Sequence, residues 1–540
     1  MKFWNEAWLK EGFATFIAYI VIEDINPSME LMNTVLSDLM LKAMDIDSFS
    51  TSKPISRTVN TPNEIRQIFD SITYYKGCCM VQTLYCYMGK ANFQRGMQRY
   101  LKTYSYGNAN QDDLWNELSK ESGGKDIKSV MDTWTKQIGH PVITTKRINA
   151  THMQVKQDRF KLDPPGIEAP KSPFNYRWKV PIIVKNINSK QQKTHLLSTE
   201  EDIFPITNDD LLNPDHSLYY RVNYGEETFA RLVKELNNDH LKLTELDRAG
   251  LVSDYFYLFK AKLKTLNETL KTLDYIENEQ ASTVWDIAAG EMGQLSALIQ
   301  SKDHKDKWRK FVFTKVNKTV SSIGWETKST YKESALQTTM LRFGCHMNIS
   351  SVVQTAKLKF SEWMNGTLVL DKNLYPVMRE CAISNSLNDD TFFAYTYQRY
   401  LETRDNALLT SLTTVKNPKL IQSFLQDALN KSIVKDNDAS YTIGKIAKYS
   451  QQGKDMAWNL VKERWSEIFQ RYGDNIFLLA RLLTAVLEDF STEQKLKDIQ
   501  AFFKEKKNLG SGKNAIDQAI LKIKFRIVYR DIINNDPWFR

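Results

Sequence analysis

The spacing of hydrophobic residues divides the chain into three regions. From Met1 to about Gln137, apolar residues recur every three or four positions, as between Leu31 and Met44, which predicts amphipathic helices. From Val142 to about Asn223 the period changes, and apolar residues take every second position in short runs separated by turn residues. This alternation predicts strands, and about seven of them in roughly eighty residues are typical of a small β-sandwich.

The helical period returns after Gly225 and continues toward the C-terminus. Successive amphipathic segments extend from Leu251 to Val486 and beyond, with no strand signal and no single central core. Helix pairs that stack into a superhelical arch, as in HEAT or armadillo repeats, would bury such faces. The predicted fold class is therefore multidomain α+β, mostly α, with domains at residues 1–138, 139–226 and 227–540.

Composition agrees with a folded multidomain protein. With 540 residues, 42% of them hydrophobic and 11% aromatic, the chain can bury several cores, and we expect about two to four domains. The net charge of +9 is spread over 73 basic and 64 acidic residues, which argues against a nucleic-acid partner. No run of about 18 apolar residues occurs, so we expect no transmembrane segment in this chain. Charged and aromatic residues interrupt the Met1 end, which therefore does not predict a signal peptide or another targeting segment.

Cysteines and glycosylation sequons leave the compartment open. The five cysteines are too few for a disulfide scaffold and form no CxxC pair; they are Cys78, Cys79, Cys86, Cys345 and Cys381. The helical spacing of the first three predicts buried small hydrophobic residues more than metal ligands. Six Asn-x-Ser/Thr sequons begin at Asn149, Asn267, Asn317, Asn348, Asn365 and Asn430. About five would occur by chance in a chain this rich in Asn, so they are compatible with secretion without showing it.

One carboxylate near the start lies on an apolar helix face. Glu11 shares its predicted face with Trp4, Ala7, Trp8 and Ala14. An ionised carboxylate buried there without a partner would cost several kcal/mol, so it needs a cation, strong donors or an exposed edge. From the residues alone, an ion pair with a Lys or Arg is the simpler interpretation.

The segment from Trp4 to Ala14 resembles the W-x-N-x-x-W-L-x-E-G-F-A block of the aminopeptidase N-like gluzincins, which are zinc peptidases with an HExxH helix. In that family the Glu of the block is the third zinc ligand, and the resemblance assigns this role to Glu11. Lys10 and Glu6 depart from the Asn and Asp that the family usually has there. Glu6 can still serve as an acceptor that supports the ligands.

A second segment, from Phe69 to Gly77, is similar to the family pattern F-D-x-I-x-Y-x-K-G. The resemblance assigns Tyr74 the role of donating its hydroxyl to the oxyanion of the tetrahedral intermediate. Removal of a single oxyanion donor costs roughly 3 to 4 kcal/mol in other enzymes. Without the family pattern, a Tyr-Tyr pair before a helix would be read as ordinary packing. Residues 52–56 and 61–65 also resemble the family segment before this Tyr.

The resemblance continues along the chain and implies the identity of each domain. The segments at residues 131–141, 220–224 and 247–251 look like the family's domain ends and starts. They imply the C-terminal part of a thermolysin-like catalytic domain, a β-sandwich, and a helical C-terminal domain like that of the endoplasmic reticulum aminopeptidases. In that domain extracellular members carry disulfides, which leaves open whether Cys345 pairs with Cys381.

Two family motifs have no counterpart in the chain. The seven histidines include no pair at positions i and i+4, so there is no HExxH motif, and GxMEN is also missing. We therefore expect the C-terminal portion of a peptidase, starting just after HExxH, because catalytic zinc usually takes three protein ligands. The complete enzyme would hold one zinc ion, which we expect this chain alone not to retain.

The leading hypothesis is a fragment of a zinc aminopeptidase that removes N-terminal amino acids from peptides, inactive by itself. The alternative is a non-catalytic isoform that acts as a peptide-binding or dimerisation module. The family implies peptide substrates and an extracellular, plasma-membrane-associated or secretory-lumen location, while a homodimer and a cytoplasmic location stay open. The residues that bind the substrate are not identified by the sequence.

Overall fold

A computed structural model describes residues 1–540, apart from the side chain of Asn63. By their contacts, the residues form two compact units. The first comprises Met1–Glu291 with Asp536–Trp538 and Arg540, and the second comprises Met292–Asn535 with Phe539. Helices make up 63% of the chain and the sheets are small, which confirms the predicted mostly helical class. The domain division at residues 138 and 226 stays a prediction.

Eight α-helices precede the strands. Their bounds are α1 Trp8–Ile25, α2 Met32–Val35, α3 Leu41–Asp47, α4 Pro62–Gln67, α5 Gly77–Met88, α6 Lys90–Thr103, α7 Gln111–Lys120 and α8 Ile127–Thr135. Two stretches of π-helix, Leu36–Met40 and Ile72–Lys76, run directly into α3 and α5. Sequence signals set several helix starts, because Thr61 and Glu64 form a capping box at α4, as Asn110 and Asp113 do at α7.

The region predicted as a β-sandwich contains seven strands in two sheets. The strands are β1 Pro141–Arg147, β2 Met153–Arg159, β3 Val180–Asn186, β4 Gln192–Leu197, β5 Glu201–Phe204, β6 Asp210–Leu212 and β7 Arg221–Asn223. One sheet has the order β5-β2-β1-β7 and the other the order β4-β3-β6. β1 pairs antiparallel with β2, with Thr145 opposite Val155, and parallel with β7, with Ile143 opposite Val222. The predicted alternation is visible in β2, where Met153, Val155 and Gln157 are buried and their neighbours are partly exposed.

Four helices follow the strands: α9 Glu226–Asp239, α10 Glu245–Lys260, α11 Leu266–Lys271 and α12 Ser282–Leu298. Helix α10 is buried on nearly every side. It contacts the strand region through Asp254, whose carboxylate accepts the backbone N–H of Val222 at 2.9 Å and a guanidinium N–H of Arg221 at 3.0 Å. Within the first unit, this charged contact therefore joins the strands to the helices that follow them.

The second unit is a succession of helices, in which each helix packs on helices close to it in sequence. The helices are α13 Lys302–Ile323, α14 Tyr331–His346, α15 Ser350–Met364, α16 Tyr375–Ser384, α17 Thr391–Thr403, α18 Asn406–Leu412, α19 Pro418–Leu429, α20 Asp436–Tyr449, α21 Gln451–Glu463, α22 Trp465–Tyr472, α23 Leu478–Leu487, α24 Glu493–Lys504 and α25 Lys513–Asn534. A disulfide joins Cys345 of α14 to Cys381 of α16, which settles the pairing that the sequence left open.

Among the described residues, every helix is too short or too polar to span a lipid bilayer. Cys78 and Cys79 are free and buried, and Cys86 is free and half-buried.

Candidate functional site

The candidate site lies at the point where helices α1 and α5 approach each other most closely. Gly12 of α1 faces Gly77, the first residue of α5, and a Cβ added to Gly12 would lie 2.5 Å from the carbonyl carbon of Gly77. Only glycine allows two backbones to approach this closely. The crossing positions the residues next to each glycine, which are Glu11 on one helix and the end of the π-helical segment on the other.

The π-helical segment Ile72–Lys76 carries Tyr74. Its start is fixed by Asp70, whose Oδ1 accepts the backbone N–H of Thr73 at 2.8 Å. Burial raises the pKa of Asp70, although the guanidinium of Arg57, 3.8 Å from the carboxylate, opposes that rise. Single π-helical turns inside α-helices are frequent at functional sites because they change the direction of a side chain. Here the turn places Tyr74 beside α1.

Glu11 and Tyr74 face each other across this crossing. Burial, then the negative charge of Glu11 and its interaction with the hydroxyl, raise the pKa of Tyr74 to about 12. The phenol is therefore neutral near pH 7 and can donate a hydrogen bond. The structure brings together the two residues that the sequence predicted as zinc ligand and oxyanion donor, and their roles stay predictions.

Lys10 is the cation that accompanies Glu11. Its Nζ lies 3.3 Å from Oε1 of Glu11, and the Glu11 side chain is only 19% exposed. The same ammonium lies 5.0 Å from the centre of the Trp4 ring and 5.6 Å from that of Phe69, within the range of cation–π attraction. Glu11 is thus paired with a neighbouring cation, which was the simpler interpretation of the residue.

Glu6 contacts a helix terminus. Its Oε2 accepts the backbone N–H of Gln111, the first residue of α7, at 2.8 Å. Burial raises the pKa of Glu6, and the hydrogen bond from Gln111 works in the opposite direction. A carboxylate there is stabilised by the unsatisfied N–H groups and the positive end of the helix dipole. The contact joins the 3₁₀ turn Trp4–Glu6 to the start of α7, and the predicted supporting role of Glu6 toward a metal stays a prediction.

A buried ion pair below Tyr74 was not predicted. Nζ of Lys76 lies 2.8 Å from Oδ2 of Asp47, and both side chains are fully buried. Lys76 also donates to the carbonyl oxygen of Gly139 at 3.1 Å, while Asp47 accepts the N–H of Gly139 at 2.8 Å and the hydroxyl of Ser52 at 2.6 Å. Burial alone would raise the pKa of Asp47, but Lys76 and Ser52 hold it below its ordinary value. The signal available in the sequence was Lys76 itself, which belongs to the F-D-x-I-x-Y-x-K-G pattern.

The residues of this chain do not by themselves fit a catalytic zinc site. Among the described residues, no three His, Cys, Asp or Glu side chains group in a way that could hold a metal ion. Glu11 offers one carboxylate, and catalytic zinc usually takes three protein ligands and a water. None of the seven histidines stands four positions from another, so no helix face presents the imidazole pair that would complete the set.

Two protein families match this chain, one in its N-terminal part and one in its C-terminal part. The peptidase family M1 domain matches residues 1–134, and the ERAP1-like C-terminal domain matches residues 211–525. The chain is 31% identical to glutamyl aminopeptidase of Bitis rhinoceros over 548 residues, which cover 98% of this chain and 56% of the relative. It is 31% identical to the Sus scrofa glutamyl aminopeptidase over 557 residues, which cover 100% of this chain and 58% of the relative. It is 30% identical to the Homo sapiens glutamyl aminopeptidase over 554 residues, which cover 100% of this chain and 56% of the relative. The chain thus spans less than two thirds of the length of the curated relatives it matches.

Proposed function

The chain belongs to the peptidase M1 family of zinc aminopeptidases, and from that membership we propose that it functions in removing N-terminal amino acids from peptides. The observation that carries the proposal is the pairing of Tyr74 with Glu11 at the Gly12–Gly77 crossing. A neutral phenol and a held carboxylate, both only partly exposed, are the two groups that this chain would contribute to peptide hydrolysis.

Tyr74 is proposed as the donor to the oxyanion of the tetrahedral intermediate. Because its pKa is raised to about 12, the hydroxyl keeps its proton throughout the physiological pH range. The donor is also held in place before reaction, since the π-helical segment and Asp70 fix its backbone. A preorganised donor of this kind stabilises charge that develops only in the transition state.

Glu11 is proposed as the one carboxylate that this chain would contribute to the family's zinc ion. If it were bound, the ion would polarise the scissile carbonyl and activate water. The two imidazoles and the general-base Glu of HExxH are not among these 540 residues. We therefore propose that the chain assayed alone hydrolyses no aminoacyl amide and binds zinc weakly. Lys10, whose Nζ lies 3.3 Å from Oε1 of Glu11, would repel a cation on the same carboxylate and so weaken its binding.

The test restores the part of a relative that this chain does not match. A chimera joins the unmatched part of Sus scrofa glutamyl aminopeptidase to residues 1–540 of this chain. Two quantities are measured: the hydrolysis of glutamyl, alanyl and lysyl fluorogenic amides, and the amount of zinc bound per chain. We expect one zinc per chain and activity that Tyr74→Phe lowers by about 10² to 10³ in kcat, while Tyr75→Phe leaves it within a factor of about three. The glutamyl amide is included because of the relatives' name. A zinc-loaded chimera whose kcat is unaffected by Tyr74→Phe would contradict the role of Tyr74.

The alternative function, a non-catalytic binding or dimerisation module, is favoured by one observation. Helix α1 leaves apolar side chains exposed on one side, at Ile17, Val21, Ile22 and Ile25, and exposed apolar patches often mark interfaces. Light scattering of the 540-residue chain distinguishes the two proposals. A stable dimer that Ile22→Glu converts to monomers would support the module, and a monomer at micromolar concentration would remove that support.

The peptide substrates and the location are proposed on the same family basis. A secretory-lumen or cell-surface location fits the disulfide of the second unit, because disulfides persist in oxidising compartments.

A further inference from the structure

The six glycosylation sequons fall into two structural groups. In four of them, both the Asn and the Ser or Thr two positions later are exposed, and the Asn lies in a turn or next to a helix end; these begin at Asn149, Asn348, Asn365 and Asn430. In the other two, at Asn267 and Asn317, both residues lie inside a helix and the Thr is buried.

We propose that Asn149, Asn348, Asn365 and Asn430 carry N-linked glycans and that Asn267 and Asn317 do not. The modification transfers an oligosaccharide from a lipid-linked pyrophosphate. The bond between the anomeric carbon of the sugar and the phosphate oxygen breaks, and a bond from that carbon to the Asn Nδ2 forms. Nδ2 loses one proton, and the lipid pyrophosphate leaves.

In the turn between β1 and β2, the side chain of Asn149 contacts the sequon hydroxyl and leaves its own amide nitrogen free of hydrogen bonds within the part of the chain that the structure describes. Its Oδ1 accepts the hydroxyl of Thr151 at 3.1 Å and the backbone N–H groups of Thr151 and His152, both at 2.9 Å. These contacts use only the oxygen of the amide, so Nδ2 has no partner among the described residues. The sequon hydroxyl is therefore next to the amide while the nitrogen that would carry the sugar is exposed.

The other three exposed sequons share the exposure of Asn149, and only in the Asn430 sequon does the Asn side chain also contact the residue two positions later. Asn430 follows α19, and its Oδ1 accepts the backbone N–H of Ser432 at 3.0 Å. Asn365 is the C-cap of α15 and is followed by Gly366 at a φ of +74°. Asn348 follows α14 in the left-handed region, at a φ of 57°. At each position the chain leaves the helix, so a bulky group on the Asn meets solvent rather than the next turn.

The two helical sequons are expected to carry no glycan for a geometric reason. Side chains at positions i and i+2 of an α-helix point to different sides, so the Thr hydroxyl cannot reach the Asn amide. In α11 the hydroxyl of Thr269 donates instead to the carbonyl oxygen of Tyr255 at 3.0 Å. In α13, Thr319 is 3% exposed and Asn317 is itself half-buried. Folding of these helices therefore closes both sequons.

An independent observation points to the compartment in which the transfer takes place. The disulfide between Cys345 and Cys381 requires an oxidising environment, and in a secreted or lumenal protein exposed sequons meet the transferase. The competing explanation is that Asn occupies these turns only because it tolerates left-handed backbone and closes turns with its side chain. Site occupancy distinguishes the two.

The test maps occupancy in protein purified from its native cells. Protease digestion followed by glycosidase release in ¹⁸O-water converts each occupied Asn to labelled Asp, which mass spectrometry locates. We expect label at Asn149, Asn348, Asn365 and Asn430 and none at Asn267 or Asn317. Label at either helical sequon, or unlabelled peptides at the four exposed ones, would overturn the proposal.

Variants of the full chain in a secretory host give the matched control. Asn149→Gln and Thr151→Ala should each remove one glycan from the mass of the protein, whereas Thr151→Ser keeps the sequon and should keep the glycan. Thr319→Ala should leave the mass of the attached glycans unchanged. Loss of a glycan in Thr319→Ala, or an unchanged mass in Thr151→Ala, contradicts the assignment even if a variant is secreted in lower yield.

Discussion

Gly12 and Gly77 meet backbone to backbone, and a methyl group added to Gly12 would lie 2.5 Å from the carbonyl carbon of Gly77. A methyl added to Gly77 would lie 3.3 Å from the Cα of Gly12, so both sides of the crossing are filled. The two glycines stand next to Glu11 and close to Tyr74 in the chain. The distance between the proposed catalytic groups therefore depends on the absence of two side chains.

Replacement of Gly12 by Ala should destabilise the first unit by about 1 to 3 kcal/mol, because the added methyl overpacks a contact made by backbone that cannot move aside. Gly290→Ala is the matched control, since it lies in helix α12 with no atom within 4 Å of the added Cβ. That substitution should be neutral or stabilise by up to about 1 kcal/mol, because Ala favours a helix over Gly. Urea unfolding of the two variants measures the difference, and equal midpoints would show that the crossing is looser than described.

The ionisation of Tyr74 should report its contact with Glu11. The pKa of Tyr74 is raised to about 12, first by burial and then by Glu11, so Glu11→Gln should lower its titration midpoint while Glu168→Gln should not. The raised value in the folded protein contributes stability that is fully present below the ordinary Tyr pKa near 10 and is lost as pH rises through about 12. NMR of ring-labelled tyrosine, assigned with Tyr74→Phe, follows the midpoint. If Glu11→Gln left the titration midpoint of Tyr74 unchanged, the two side chains would not interact as described.

Removal of Lys76 should cost far more than removal of an exposed lysine. Lys76→Met leaves Asp47 charged and fully buried without its cation, and breaking such a pair typically costs about 3 to 5 kcal/mol. Lys42→Met, which removes a pair at 3.8 Å with both side chains more than half exposed, should change stability by less than about 1 kcal/mol. The double variant Asp47→Asn with Lys76→Met should recover part of the loss. Chemical denaturation is the measurement, and similar costs for the two lysines would show that water reaches the buried pair.

Loss of the Cys345–Cys381 disulfide should destabilise the second unit. The bridge spans 36 positions in sequence, and a loop of that length restricts the unfolded chain by an amount worth about 4 kcal/mol in the entropic account. The Cys345→Ser, Cys381→Ser double variant should unfold at a lower temperature than the native chain. Reductant should lower the unfolding temperature of the native chain but not that of the variant. A native transition that does not respond to reductant would mean that the bridge is not formed.

The helices and strands could be predicted because each depends on neighbours in sequence. Apolar spacing of three or four residues around Leu31 to Met44 and alternation in Met153 to Gln157 reflect which local geometry buries one face. The family patterns around Glu11 and Tyr74 also lie in continuous segments. The π-helical turn at Ile72–Lys76 was not predicted, because five residues are too few to show a hydrophobic period of their own.

Contacts between distant residues were decided by the tertiary structure. The carboxylate of Glu6 meets the N–H of Gln111 across 105 positions, Lys76 meets Asp47 across 29, and Cys345 meets Cys381 across 36. No local period encodes such pairings, since they depend on which helix faces which. The sequence by itself determined the family and the helical and strand regions, and it predicted Glu11 and Tyr74 as site residues. Only the fold decided that these two face each other, because the approach of α1 to α5 at Gly12 and Gly77 is a property of two packed backbones.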